Sequence, residues 1–284
     1  MSRWIRLLRA PAALTAWADP VVGSVASGRS LQGRRRLLPA SAAAFYWAGM
    51  VLNDWADRDE DAVERPERPI PSGEIAAEHA IAAATGLLTA GVGLAALGGG
   101  RDAVHIAVLL GATVCAYDLV LKNTPAAPVG MGACRALNVL LGAGWSGMRA
   151  AAYEAGLVAA HTVGITALSR GEVHGASRGI AVAALGGTVA VGTAVVASPA
   201  PSARHRVQAS AAGLTYAGLV GSHQLRAVRG PAAPAVRSAT AAGIHGMIAL
   251  QSALAARRGA GAVAVVIAAA LPLARRLGKK VSPT

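Results

Sequence analysis

Long apolar runs broken by short polar stretches recur along nearly the whole chain, and they decide most of what it can fold into. Ten such runs fall at roughly 10–28, 38–54, 76–99, 102–121, 129–148, 153–169, 179–198, 207–226, 236–256 and 260–277. A helix needs about 20 mostly apolar residues to cross a bilayer core. A soluble chain would need a polar face on each helix. The run at 103–121 holds His105, Tyr117 and Asp118 but no polar stripe at helical period. Only 14% of the 284 residues are charged, against about 25% in soluble domains. The expected fold is therefore all-α, a polytopic membrane bundle of nine or ten transmembrane helices forming one domain over 1–284. Some runs are short or glycine-rich, and the pair at 236–256 and 260–277 is the least clearly defined.

The formal charge of +13 could suit nucleic acid. The basic residues, however, sit in short loops between apolar runs, where positive charge orients membrane proteins. The expected partner is the lipid bilayer of the cell (plasma) membrane, crossed many times, and not nucleic acid. The loop charges lean mildly toward a cytoplasmic N-terminus, although Arg34, Arg35 and Arg36 fall on the other side. The first run contains Asp19 and Pro20 and reads as a retained span, not a cleaved signal. Cys115 and Cys134 both fall within runs and read as small buried residues rather than a disulfide. The seven histidines show no zinc-binding spacing.

Against this background one stretch stands out. NDWADRDEDAVERPERPIPSG, residues 53–73, gathers half of the 14 acidic residues, from Asp54 to Glu67. Asn53, Asp57 and Asp61 are spaced i, i+4, i+8, which stacks oxygen ligands along one helix face. Such a set at the end of a span suits Mg²⁺, which takes one or two carboxylates, waters and phosphate oxygens. The plainer reading is a solvated acidic loop paired with Arg58, Arg65 and Arg68. Two features favour the metal site. The acids begin inside an apolar run, where ionisable groups are costly and functional. Proline-stiffened backbone then holds Arg65 and Arg68 beside them, and guanidinium forks suit phosphate oxygens.

The same stretch resembles the first aspartate-rich motif of the UbiA superfamily of intramembrane prenyltransferases, NDxxDxxxD followed by an RPIPSG turn. Asn53, Asp54, Asp57 and Asp61 match, as do residues 68–73. RAPAALTAWADPVVG resembles that family's first helix. YDLVLK matches its Tyr-x-x-x-x-Lys element through Tyr117 and Lys122, and CRALNVLLG (134–142) resembles the start of its fifth helix. The likeness covers roughly 8–180 and continues beyond only as hydrophobic pattern.

The resemblance implies a nine-helix bundle with a cavity at the cytoplasmic side, where two Mg²⁺ ions hold a prenyl diphosphate donor. An acceptor then attacks the carbon that loses diphosphate. Carried over, Asn53, Asp57 and Asp61 become metal ligands. Arg65, Arg68 and Lys122 neutralise the diphosphate, and Tyr117 touches it or the departing prenyl group. Asp57, Asp61, Lys122 and Tyr117 form the implied catalytic set.

The second acidic motif departs from the family's DxxxD. SRGEVHGASRG (169–179) offers one acid, Glu172, with Ala176 where a second belongs. Glu172 is the implied second-site ligand. Arg170 and Arg178 could supply a missing cation's charge, and His174 is a poorer Mg²⁺ partner. Arg135 suits either phosphate binding or a pair with Asp19 or Asp118. Asp118 could orient Lys122 or stand near the diphosphate, and Trp55 suits either an interfacial anchor or cation–π contact. His223, His245 and Gln251 could face the acceptor.

The expected function is Mg²⁺-dependent prenyl transfer from a prenyl diphosphate to an unidentified acceptor. The alternative is a non-catalytic transporter or a lipid-binding relative that has lost the second metal site. A CDP-alcohol phosphotransferase would place a Gly-Ala-Arg block between its acids, and NDWADRDED has none.

Overall fold

The computed structural model describes residues 3–8 and 15–278, so the start of the first apolar run at 10–14 lies outside the described residues. Among the described residues every regular element is helical. The order is α1 Arg3–Leu7, α2 Ala18–Ala26, α3 Leu38–Ala56, α4 Arg58–Glu64 and α5 Ala77–Ala116. It continues through α6 Ala127–Ser169, α7 Arg178–Ala197, α8 Ala203–Arg229, α9 Ala233–Arg257 and α10 Gly261–Gly278. A 3₁₀ turn at Gly33–Leu37 precedes α3, and a π turn at Tyr117–Leu121 ends α5. By length and composition, Ala77–Leu121, Arg178–Ala197 and Ala233–Arg257 are long and apolar enough to cross a membrane.

As a straight rod the 40 residues of α5 would measure about 60 Å, twice a hydrocarbon core. The rod breaks at Gly100, with φ 63° and ψ −157°. The two arms fold back on each other, with Leu88 on one arm 3.9 Å from the Cβ position of Gly111 on the other. The 43-residue α6 reverses in the same way at Gly144, with φ 69° and ψ 173°. Its arms meet where Gly132 lies against Ala159 and Val163. The sequence reading placed separate runs here, joined by loops. The reversals instead cost a single residue each, because glycine alone adopts these angles without a Cβ clash.

Packing is closest between α2 and the first arm of α6. A Cβ on Gly23 would lie 1.8 Å from the Val139 carbonyl oxygen, and one on Gly142 would lie 1.8 Å from that of Pro20. Small residues let backbones approach where apolar burial alone gives no preference over lipid. Ser24 adds a 2.9 Å bond to the Gly142 carbonyl.

Beside this crossing, Asp19 is fully buried. It accepts from Asn138 Nδ2 at 3.0 Å and Gln251 Nε2 at 2.6 Å, and pairs with Arg135 Nε at 3.2 Å. One carboxylate thus ties α2, α6 and α9 together. At the far end of the bundle, Asp102 accepts from the Ser146 backbone at 2.8 Å and pairs with Arg29 at 2.6 Å, joining both glycine reversals. Nearby, Glu154 is buried and holds Arg257 at 2.8 Å and Arg258 at 2.7 Å.

The α2–α6 crossing yields a direct test. Gly142→Ala must push two backbones apart, so its cost is expected at or above the top of the roughly 1–3 kcal/mol overpacking range. Gly218→Ala, with nothing within 4 Å in mid-helix, should hold or slightly raise the melting temperature in detergent. Equal melting of the two variants would show that the crossing is not tight.

Candidate active site

The site is built where α3 ends. Helical geometry stops at Asp57 (φ −91°, ψ 5°) and resumes in α4. Backbone bonds from Asp57 to Asn53 (3.0 Å) and from Asp61 to Asp57 (2.8 Å) carry the chain through the bend. The expected straight ladder of Asn53, Asp57 and Asp61 is therefore a bent one, and its members face different partners. Asp61 is buried and receives Arg68 Nη1 at 2.5 Å, with Arg65 at 3.8 Å. Arg68 also reaches buried Asp54 at 3.4 Å. Asp57 instead pairs with Lys122 Nζ at 2.6 Å, and that amine also donates to the Asn53 carbonyl at 3.2 Å. Arg58 lies over the Trp55 ring, 4.9 Å from its centroid.

The Tyr117–Lys122 element owes its placement to the π turn. The Lys122 amide reaches back five residues to the Tyr117 carbonyl at 2.9 Å. One extra residue per turn re-aims side chains, and such turns concentrate at functional sites. Here Tyr117 and Asp118 face inward while Lys122 crosses to Asp57. Asp118, singled out as a possible partner of Lys122, is buried and bonded by the Asn53 side chain.

Asn53, Tyr117, Asp118, Arg135 and Glu172 all line one cavity of about 370 Å³. The opposite wall comes from α6 and α9, including His161, Thr162 and Thr240. A smaller apolar pocket of about 100 Å³ adjoins it, running between α3, α5 and α6. Tyr46, Met50, Tyr117, Asp118, Met131 and Arg135 belong to both walls.

Other expected residues are engaged otherwise or lie away from the cavity. Arg135 lines the cavity but spends its guanidinium on Asp19 and the Thr15 carbonyl, 2.7 Å away. Arg170 is exposed and donates to the Thr124 carbonyl at 2.6 Å; Arg178 is exposed in the first turn of α7, and neither lines the cavity. His174 is exposed. His223 bonds Ser238 at 2.8 Å, and neither it nor His245 reaches the cavity. Gln251 is consumed by Asp19 and Thr15.

The sequence reading missed His161. It is buried, with Nδ1 2.9 Å from the Tyr216 hydroxyl and Nε2 3.1 Å from the Gly243 carbonyl. A carbonyl only accepts, so Nε2 carries the proton and Tyr216 donates to Nδ1. Its one sequence signal was an ionisable residue inside an apolar run.

Glu172 sits in the turn after α6. Burial pushes its carboxyl above the ordinary range, opposed by nearby Thr240, Arg237 and Arg65. Its Oε1 is buried without a hydrogen-bond partner. Among the described residues no three His, Cys, Asp or Glu side chains converge as a ready metal cluster. The donors nonetheless have the right chemistry for a hard cation: carboxylate and amide oxygens, one of them buried and unbonded on the cavity wall.

The comparisons with known proteins agree with this arrangement. A model of the UbiA prenyltransferase family matches residues 20–170. The chain belongs to the UbiA prenyltransferase family. Digeranylgeranylglyceryl phosphate synthase of Methanopyrus kandleri is 35% identical over 125 residues, 44% of this chain and 46% of that protein. Chloroplastic chlorophyll synthase of Oryza sativa subsp. japonica is 54% identical over 47 residues, 16% of this chain and 12% of that one. The chain thus matches under half the length of these relatives. The apo structure of a UbiA homolog from Aeropyrum pernix K1 superposes with a TM-score of 0.65 at 17% identity, covering 92% of this chain and 97% of that one. It shares the fold, and this UbiA family member is a multi-pass membrane helix bundle.

Two predictions follow from the buried charges. Removing the guanidinium that separates two buried carboxylates should be severe, so Arg68→Met is expected to cost about 3–5 kcal/mol. Arg58→Met, which breaks an exposed pair with Asp59 and local contacts to Trp55 but strands no buried charge, should cost far less. Glu172 gives a pH test. A carboxyl with a raised folded pKa favours folding at acid pH, and its charge opposes folding once pH rises through that value. Glu172→Gln should therefore raise the melting temperature at pH 8, with the gain vanishing toward pH 4. A gain independent of pH would contradict this.

Proposed function

We propose that this protein is a Mg²⁺-dependent prenyltransferase of the cell membrane, moving a prenyl group from a prenyl diphosphate to a second, acceptor substrate. Its 1–284 chain acts as one domain with nine or ten membrane crossings. The observation that carries this reading is a polar cavity, flanked by acids and cations, opening into an apolar pocket. A molecule with a charged head and an oily tail matches both compartments.

In this reading Asn53, Asp57 and Asp61 would hold Mg²⁺, with Glu172 contributing from the second polar break. When bound, Mg²⁺ supplies positive charge to the diphosphate oxygens. Lys122, Arg65 and Arg68 face the same head group. Their present carboxylate partners keep Lys122 and Arg68 in place and largely desolvated, so these two need little reorganisation to meet the charge that develops as the C1–O bond breaks. Tyr117, on the wall shared by both compartments, lies where the allylic carbon leaves the diphosphate. Arg135 orients that wall through Asp19, while Arg170 and Arg178 draw anions toward the mouth from outside. The apolar pocket keeps water from the cation until the acceptor bonds to C1 and gives up its proton.

The identity with digeranylgeranylglyceryl phosphate synthase and chlorophyll synthase supports an isoprenoid donor. The test is binding of a non-cleavable prenyl thiodiphosphate to purified protein, with and without Mg²⁺. Metal-dependent binding is expected, weakened in Asp57→Asn and in Glu172→Gln. With a competent acceptor, Asp57→Asn should lose roughly 10²–10³ in kcat while its melting temperature holds. Binding indifferent to Mg²⁺ and to both substitutions would replace the enzyme with a lipid-binding relative.

A further inference from the structure

The apolar pocket has a definite far end. Along the π turn and α5 its wall runs from Asp118 at the mouth to Leu110, and on α3 from Met50 to Ala42. Eight residues of helical rise make it about 12 Å deep. Beyond it Leu38, Ile106 and Leu141, all fully buried, pack into a plug. Between mouth and plug stands Phe45, the single phenylalanine of the chain.

The Phe45 ring is fixed from behind. Its back rests on two glycines of the α5 hairpin, one on each arm. A Cβ on Gly91 would meet the ring at 2.9 Å, and one on Gly111 would meet it at 3.3 Å. Ser41, one turn earlier, locks the same contact by donating to the Gly91 carbonyl at 2.7 Å. The ring is 2% exposed and packs within the cluster that closes the pocket. A fully buried aromatic on a glycine seat has no empty rotamer to move into, so it acts as a rigid stop.

We propose that Phe45 limits the length of prenyl chain the donor can carry, making it a specificity-determining residue. The inference rests on the reading of the apolar pocket as the donor's tail site. An isoprene unit adds four carbons in line, about 5 Å at 1.5 Å per bond with zigzag foreshortening. The pocket therefore takes about two units beyond the one at the mouth, and the accepted donor has about three. Longer tails meet the ring.

The experiment is a competition among prenyl thiodiphosphates of two, three, four and six isoprene units, with binding to the purified full chain read by native mass spectrometry. Wild type should favour three units over four. Phe45→Ala should shift that ratio toward four by roughly tenfold or more, the scale on which a pocket discriminates small changes in apolar size. Phe45→Leu, a smaller change with less risk to folding, should shift it the same way by less. Gly91→Ala lies outside the pocket and pushes the ring into it, so it should shift preference toward two units. Opposite shifts in folded variants establish the stop. An unchanged length profile in Phe45→Leu and Gly91→Ala, both binding donor, overturns the proposal but leaves the donor site intact. Failure of wild type to bind any length overturns the donor reading, and this proposal with it.

Discussion

A carboxylate with no water around it must be neutralised by the protein, and Asp19 forces that arrangement on the bundle. Its partners arrive from α6 and α9, so three helices distant in sequence must meet at one height. The glycines at 23 and 142 make that meeting possible by removing the side chains that would hold the backbones apart. Once α6 is pinned this way, Arg135 and Asn138 face the two compartments, and α9 presents Thr240 and Gly243 across from α3. The shape of the cavity depends on a charge that never touches what it holds.

Behind Asn53, beside that cavity but not on its wall, the charges are paired in advance. Arg68 bridges Asp54 and Asp61, and Lys122 spans from the π turn to Asp57. Such pairs gain little stability after desolvation. Their value is positional, because they hold like charges apart and opposite charges in register at the edge of an apolar interior. The acidic stretch is therefore only partly solvated, with Asp59, Glu60, Glu64 and Glu67 exposed but Asp54 and Asp61 buried, and it is not a simple helical ladder. It is a bend, and the bend sends neighbouring acids to different partners.

Much of this was legible in the sequence because it was local. The apolar runs marked the helices, and the 53–73 stretch marked the site and the family. The pair between Arg135 and Asp19 was one of the options, beside phosphate binding and a pair with Asp118, since a buried guanidinium needs an anion. What stayed hidden was relational. Gly100 and Gly144 look like any other small residue until the arms they join are seen to face each other. His161 gave no motif, because its partners Tyr216 and Gly243 lie 55 and 82 residues away. Arg170 and Arg178 looked right by type and proximity to Glu172, but the turn after α6 points them outward.

The knot at the far end sets a rule of compartment. Asp102 fastens one glycine reversal to the other, and Glu154 fastens α6 to the turn between α9 and α10. A carrier must open each side of the membrane in turn. Here one side is stitched by the half-exposed Asp102–Arg29 pair and by buried Glu154, whose separation from Arg257 would strand charge in oil. In the proposed reading, the diphosphate left after transfer would then depart by the end of the bundle where Asn53 and Lys122 stand.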